Sequence, residues 1–257
     1  MEAHGAPPND EPPPHVEPPR VERRGSPLPE RIVALLEVLI CSDYPTQLAL
    51  DATARSLGYQ PFVQGRLSFG YVALVSLADT ALLLALIFLF LWTHGERPRD
   101  VLLGARRVPA EGVLGISLAP VALAIGLFVP AVISWLAPSL HTVPVNPLAD
   151  LLRTPQEAWR FAVVLILAGG VREEVQRAFL LHRFEVWLGG PAVGVIVTSL
   201  AFGAGHFLQG ADAALATAIL GAFWGLVYLR RRSIVAPMVS HASFNLLEIG
   251  RVLLVGG

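Results

Sequence analysis

Long apolar segments alternate with short polar connections along most of the chain. Crossing a hydrocarbon core of about 30 Å takes about 20 helical residues, and six segments reach or approach that length. A seventh, Ile32–Ala54, is interrupted by Asp43 and Pro45, which predicts either a kinked span or a helix lying at the interface. The pattern predicts an all-α fold, a polytopic membrane helix bundle of six to seven transmembrane helices. The six clear segments are Phe69–Trp92, Val113–Leu136, Trp159–Leu188, Ala192–Phe207, Ala213–Leu229 and Ile234–Val255.

Residues 1–30 differ from everything that follows them. They hold nine of the 21 prolines and few large apolar side chains. A segment of this composition cannot bury enough surface to offset its chain entropy, so we expect a disordered proline-rich tail. It has no apolar stretch near its start that would indicate a signal peptide. The membrane domain is therefore expected to occupy residues 31–257.

Composition and charge agree with the membrane prediction. Hydrophobic residues make up 54% of the chain and charged residues only 15%, and the mean hydropathy is +0.58. The formal net charge of -1 gives no basic field, so no nucleic-acid partner is expected. The single cysteine, Cys41, excludes a disulfide framework and a multi-cysteine zinc site. These values disfavour an ordinary soluble enzyme and make membrane lipid the expected surroundings.

The placement of arginines predicts an orientation in the membrane. If the chain has seven spans, four groups of arginines fall on the same side of the membrane. If the first segment, Ile32–Ala54, instead lies flat at the interface, the arginines of the N-terminal tail fall on the opposite side. Because positive charge accumulates on the cytoplasmic side, seven spans and a cytoplasmic N-terminus are favoured. Residues 137–156 then form an exterior loop. The four groups are Arg20, Arg23, Arg24 and Arg31; Arg97, Arg99, Arg106 and Arg107; Arg183; and Arg230, Arg231 and Arg232.

Charged side chains interrupt the segment Trp159–Leu188 at its middle. A charge at the centre of a membrane costs at least about 2.5–3.5 kcal/mol, so it is kept only if it is paired or functional. Glu173 lies four residues before Arg177 and Glu174 lies three residues before it, so either carboxylate can pair with the arginine. Taken alone, the group could equally mark the point where the helix leaves the membrane.

Two further polar groups lie on other apolar segments. Phe202 and His206 end one segment, and His241 and Asn245 lie one turn apart on the same face of the last. Each group alone could be structural: a satisfied core histidine, or a hydrogen bond between helices. Together with Glu173 they can satisfy one another only by converging. Such a set suits hydrolysis: glutamate can activate a water, histidine can orient it or bind a metal, and asparagine can donate to an oxyanion.

These residues resemble the CAAX prenyl protease and bacteriocin-processing family of intramembrane metalloproteases. The pattern of that family is E-E-x-x-x-R, F-x-x-x-H and H-x-x-x-N, each on a different membrane helix. The second part matches at Phe202 and His206, and the third matches at His241 and Asn245. The resemblance covers about residues 158–250, which are identified as a protease-like core.

The first motif departs from the family pattern, because two residues instead of three separate the second glutamate from Arg177. If Arg177 is aligned, the two family glutamates fall on Arg172 and Glu173. If the glutamates are aligned, they are Glu173 and Glu174, and the arginine comes one position early. Glu173 is a motif carboxylate in both alignments.

The resemblance implies an endopeptidase that hydrolyses a peptide bond of a membrane-associated peptide or protein. Glu173, assisted by Glu174, would activate water together with His206, and Arg177 and Phe202 would support the site. His241 and Asn245 would stabilise the oxyanion or hold a metal. A Zn²⁺ ion on His206, His241 and Glu173 and a metal-free mechanism both fit the resemblance, which does not imply a prenylated substrate.

Other hypotheses stay open at this point. Arg172, at the place of a family glutamate in one alignment, motivates a non-catalytic scaffold or a bacteriocin-immunity-type protein with the same fold. Buried charges could also belong to a small transporter. Asp79, in the middle of an apolar segment, is expected to be a structural partner for another buried polar group. For each hypothesis we expect an integral protein of a bacterial plasma membrane.

Overall fold

The computed structural model describes residues 28–255. Most of the tail predicted for residues 1–30 lies outside the described residues, and its last three residues begin the first helix. The described chain forms ten α-helices and one short β-hairpin. The elements are α1 (Leu28–Ile40), α2 (Tyr44–Ser56), β1 (Phe62–Val63), β2 (Arg66–Leu67), α3 (Phe69–Thr93), α4 (Pro98–Leu102), α5 (Val108–Leu136), α6 (Pro155–Leu165), α7 (Glu173–Val186), α8 (Pro191–Gly205), α9 (Ala211–Arg231) and α10 (Val235–Val255).

The all-α prediction is confirmed, and each apolar segment is helical. The predicted count of six to seven spans is not confirmed. Among the described helices, three are long and apolar enough to cross a membrane, namely α3, α5 and α9. The pair α1 and α2, bent by 42°, would make a fourth span if counted as one. The other segments fall short for physical reasons: α8 has only 15 residues, and α7 carries many polar side chains.

The break between α1 and α2 is made by residues 41–43, which we call the elbow. Asp43 has a φ of 80°, a left-handed conformation that is uncommon for a non-glycine residue. It cannot continue α1, and Pro45 in the first turn of α2 fits a new helix start, where a missing N–H is tolerated. The interruption predicted at Asp43 and Pro45 is therefore a kink between two helices.

The segment predicted over Trp159–Leu188 is one helical run that contains a π-helical turn. The turn spans Ile166–Arg172 and joins α6 directly to α7. Thr154 and Glu157 begin the run with a capping box, in which each side chain bonds to the backbone of the other residue. The wider π turns that interrupt α-helices are frequent at functional sites. Here the turn ends at the residue before Glu173.

The two ends of the bundle can be assigned from contacts between loops. At one end, which we call the arginine-rich end, Arg232 pairs with Glu185 and Arg231 pairs with Glu111. At the opposite end, residues 137–151 pack on the turn between α8 and α9, where His141 Nδ1 lies 2.7 Å from an Asp212 carboxylate oxygen. The arginine groups of the described chain that flank α4, α7 and α9 therefore meet at one end, and residues 137–156 lie at the other.

Apolar side chains fill the centre of the bundle and also cover its outside. Leu83 and Ile87 of α3 and Phe179 of α7 are fully buried in the largest core. Ile116 and Phe128 of α5, in contrast, are more than half exposed on the outer surface. An apolar exterior of this extent suits lipid better than water.

Candidate active site

Two cavities meet in the middle of the bundle. The first, of about 500 Å³, extends from the loop at residues 144–149 inward between the π turn, α9 and α10. The second, of about 340 Å³, lies between α1, the elbow, α7 and α8. Four residues line both cavities, so they stand where the two spaces adjoin. These residues are Arg172, Glu173, Phe202 and His206.

Glu173 is the carboxylate that faces both cavities. Its side chain is 13% exposed. Oε1 accepts a hydrogen bond of 3.2 Å from Nη2 of Arg172. Oε2 lies 3.8 Å from Nε2 of His241 and has no hydrogen-bond partner within residues 28–255. One carboxylate oxygen is thus fixed by the arginine, and the other is available for a water or a substrate.

Glu174, the next residue, is buried and turns away from both cavities. Its Oε1 accepts hydrogen bonds from Arg177 and, at 2.8 Å, from Nδ1–H of His241. Because the Nδ1 proton of His241 is held by Glu174, Nε2 is the ring nitrogen that faces Glu173. The sequence allowed Arg177 to pair with either Glu173 or Glu174, and in the structure it pairs with Glu174.

His206 is the residue that caps the C-terminal end of α8. Its Nδ1–H donates to the carbonyl oxygen of Phe202 at 2.9 Å, one turn earlier, and its backbone N–H donates to Gly203. Carbonyls at the end of a helix lack partners within the helix, and the imidazole supplies one. The spacing F-x-x-x-H therefore closes α8 and leaves Nε2 of His206 as a proton acceptor.

Two glycines of the π turn let α10 come close. A Cβ atom on Gly169 would lie 2.7 Å from Nδ2 of Asn245, and one on Gly170 would lie 2.9 Å from Cβ of Ala242. Both distances are too short for a real side chain. Glycine at these positions therefore brings His241 and Asn245 against the backbone that leads into Glu173. Asn245 lines the first cavity, and its amide has no hydrogen-bond partner in the described part of the chain.

Trp224 contacts the site although no sequence motif indicated its role. Its indole ring stacks on the imidazole of His241 with 3.8 Å between centroids and 14° between planes, and its Nε1–H donates to Ser240. Trp224 lies between Gly221 and Gly225 in α9, and a Cβ on Gly221 would lie 3.0 Å from the Phe202 ring. A tryptophan between two helix-packing glycines is the one local feature that could have drawn attention to this contact.

Arg172 is paired with two aspartates in addition to Glu173. Its Nη1 donates to Asp43 in the elbow and, at 3.1 Å, to Asp79 on α3. The prediction that Asp79 is a structural partner of another buried polar group is confirmed. Asp43 was predicted only to interrupt a helix, and its pairing with Arg172 over a long stretch of sequence had no local signal.

The predicted zinc ligands, His206, His241 and Glu173, all line the first cavity. Within residues 28–255, no group of three or more histidine, cysteine, aspartate or glutamate side chains is placed so that it could hold a metal ion. His206 uses Nδ1 for the Phe202 carbonyl, and His241 uses Nδ1 for Glu174. Zinc binding by His206, His241 and Glu173 stays a prediction.

Comparison with known proteins agrees with the motifs. Residues 154–247 match a family model described as type II CAAX prenyl endopeptidase Rce1-like. The match begins at the N-cap of α6 and ends just after Asn245, and it confirms the predicted resemblance to the CAAX protease family for this part of the chain. No curated protein and no solved structure matches the chain. The apolar helices and the match together indicate an integral membrane protein, and the matching family is generally proteolytic.

Proposed function

We propose that this protein is an intramembrane endopeptidase that cleaves a membrane-associated peptide or protein. The observation that carries the proposal is the position of Glu173 and His206, which line both cavities where these adjoin. A carboxylate with one unpaired oxygen and an imidazole with an unprotonated nitrogen are the groups that hydrolysis needs on either side of a water. The match to a proteolytic family over the same residues supports it.

Glu173 is the proposed general base. Its Oε2 would take a proton from a water whose oxygen then attacks the carbonyl carbon of the scissile peptide. Nε2 of His206 would accept a hydrogen bond from the same water and orient it. The proton held on Glu173 would next pass to the leaving nitrogen, so that the C–N bond breaks and a carboxylic acid and an amine are formed.

His241 and Asn245 are proposed to stabilise the oxygen anion of the tetrahedral intermediate. They lie on one face of α10, and the amide of Asn245 has no competing hydrogen bond within residues 28–255. Donors fixed in advance where charge develops lower the barrier because they need no reorganisation during the reaction. His241 would donate to the oxygen anion from Nε2 in its doubly protonated form, with Nδ1–H held by Glu174. Nε2 lies 3.8 Å from Oε2 of Glu173.

Three further residues would hold this arrangement in place. Glu174 fixes the ring of His241 through Nδ1, and Arg177 pairs with Glu174 from the other side. Trp224 fixes the plane of the same ring by stacking on it. The guanidinium of Arg177 also lies 4.8 Å from the centroid of the Phe202 ring, which links the α7 and α8 parts of the site.

We further propose that the protein lies in a bacterial plasma membrane with its arginine-rich end on the cytoplasmic side. The positive-inside rule supports this orientation, because the arginine groups of the described chain lie at one end of the bundle. On one side of the second cavity lie apolar side chains of α1, α7 and α8, namely Val38, Leu39, Leu180, Phe184, Val197 and Phe202. It is suited to an apolar part of a substrate that arrives through the lipid.

The test is a cleavage assay on the purified protein in detergent, with a library of membrane-anchored peptides. We expect Glu173→Gln and His206→Asn each to lower the cleavage rate by roughly 10²–10⁴-fold, the usual contribution of an acid–base group. Glu111→Gln and His94→Asn are matched controls, because both residues lie at the arginine-rich end and line neither cavity. They are expected to cleave at the wild-type rate.

Two outcomes would overturn the proposal. Wild-type protein that cleaves no peptide, and whose biological activity survives both site substitutions, would indicate a scaffold or an immunity-type protein. Solute uptake into liposomes that depends on Glu173, without any cleavage, would indicate a transporter.

A further inference from the structure

The guanidinium of Arg172 joins three elements at the edge of the site. It binds Asp43 in the elbow, Asp79 on α3 and Glu173 at the start of α7. Its Nε–H also donates to the carbonyl of Ala168 in the π turn, at 3.3 Å. The Arg172 side chain is 6% exposed, so protein atoms cover most of its surface. Three carboxylates around one buried arginine are more than its single charge neutralises.

The contacts of Arg172 are divided between its two terminal nitrogens. Nη1 binds both aspartates, whereas Nη2 binds Oε1 of Glu173. A guanidinium is planar and rigid, so fixing one terminal nitrogen also fixes the direction of the other. The two aspartates therefore determine where the nitrogen that holds Glu173 lies. With Oε1 held in this way, Oε2 is the oxygen left toward His241.

Asp79 lies away from both cavities, so it can act on the site only through the groups that it contacts, which are Arg172, Asp43 and Thr46. Its side chain is 1% exposed and lines neither of the two cavities. Asp43 lines the second cavity and is held in a left-handed conformation by its surroundings. Among these surroundings, Gln47 donates to the Asp43 carboxylate at 2.6 Å, and Thr46 donates to its carbonyl oxygen at 3.0 Å. Strain of this kind persists only where tertiary contacts over-determine it.

We propose that Arg172 is a positioning residue for Glu173, and that Asp79 and Asp43 act by anchoring Arg172. The proposal rests on the proposed function, in which Glu173 is the general base. In one alignment of the first motif, Arg172 stands where the family has a glutamate. In this protein it would hold the carboxylate of the next residue, Glu173. The two aspartates that hold this arginine lie on elements outside the matched segment.

Asp79→Asn gives the sharpest test, because Asp79 cannot contact a substrate. We expect kcat to fall on the order of 10²-fold, the cost of misplacing a reacting group by about 1 Å, while KM stays unchanged. The matched control is Glu111→Gln, which removes another carboxylate of 1% exposure paired with an arginine, Arg231, far from both cavities. It should leave kcat and KM at their wild-type values.

Arg172→Lys separates positioning from charge. Lysine keeps the positive charge but has no second nitrogen at a fixed angle, so it cannot hold Glu173 and the aspartates together. We expect kcat of Arg172→Lys to fall as far as that of Asp79→Asn. A wild-type kcat in Arg172→Lys would overturn the proposal.

A double-mutant cycle on thermal unfolding tests the anchor independently of activity. The variants are Asp79→Asn, Arg172→Gln and the two together, and residues in direct contact are expected to give non-additive shifts in Tm. We expect most of the Tm loss caused by Asp79→Asn to disappear when Arg172 is already absent. Additive shifts would overturn the anchor. Coupled shifts with an unchanged kcat in Asp79→Asn would overturn the positioning role, whereas absence of cleavage by the wild type would overturn only the proposed function.

Discussion

Two clusters of buried charge in this protein are made of the same residue types. At the arginine-rich end, Arg183 binds Glu37 at 2.5 Å and Glu96 at 2.6 Å, and a histidine binds each glutamate in turn. Those histidines are His94, at 2.7 Å, and His182, at 2.8 Å. The candidate active site likewise combines glutamates, arginines and histidines on several helices.

The clusters differ in what is left unpaired. At the arginine-rich end all four carboxylate oxygens of Glu37 and Glu96 are bonded, and none of the residues lines either cavity. In the active site, Glu173 Oε2, His206 Nε2 and the Asn245 amide have no hydrogen bond within residues 28–255, and all three residues line the first cavity. The residue types alone therefore do not distinguish a structural ion-pair network from a candidate active site. The distinguishing feature is the presence of polar atoms without a hydrogen bond next to a cavity.

The largest expected effect comes from removing the central arginine of each cluster. Breaking a buried ion pair by deleting one partner costs about 3–5 kcal/mol, so Arg177→Met and Arg183→Met should both lower the free energy of unfolding by that amount. Only Arg177→Met should also lower kcat per folded molecule, on the order of 10²-fold, because it releases Glu174 and with it His241. Unfolding in detergent and cleavage assays measure the two quantities. An equal loss of kcat in Arg183→Met would remove the distinction between the clusters.

A smaller effect is expected from Gly169→Ala. The added Cβ would meet the amide end of Asn245 at 2.7 Å, and this end can rotate away, so the free energy of unfolding should change little. The displaced amide should lower kcat on the order of 10²-fold. Gly112→Ala in α5 is the matched control, since its Cβ meets nothing within 4 Å. It should keep kcat and gain roughly 0.5–1 kcal/mol of stability, as alanine in a helix does over glycine.

The smallest expected effect is an acid sensitivity of the arginine-rich end. Burial acts to raise the pKa of Glu96, but the hydrogen bonds from His182 and Arg183 outweigh it and lower that pKa from 4.5 to about 2. A lowered folded-state pKa stabilises the protein above the unfolded value, and this stabilisation is lost as the pH falls from 4.5 toward 2. Tm of the wild type should therefore exceed that of Glu96→Gln at neutral pH and approach it in this acidic range. A constant difference between the two proteins at all pH values would contradict the prediction.

Much of the architecture could be predicted from the sequence. The helical segments match the apolar segments closely: Phe69–Trp92 became α3, and Ala213–Leu229 became most of α9. The cost of burying charge correctly indicated that Asp79 would have a partner. The number of membrane spans could not be predicted from the apolar segments in the same way. Helices that pack around polar residues, such as α7, are less apolar than the helices that face lipid.

The contacts that complete the site had weaker signals or none. Asp43 reaches Arg172 across 129 positions of sequence, and Trp224 stacks on His241 from a different helix. A motif on one helix shows which residues share a face, but it does not show which side chain of a neighbouring helix meets that face. The role of Gly169 and Gly170 likewise depends on the approach of α10.

By itself the sequence determined an all-helical bundle and three polar groups that had to find partners, because hydrophobicity and the cost of buried charge are properties of each segment. Only the tertiary structure decided how Glu173 and Glu174 divide their contacts. Adjacent residues on a helix point about 100° apart, so the packing of α7 and the π turn before it set which of them meets a cavity. Glu173 faces the two cavities, and Glu174 faces Arg177 and His241.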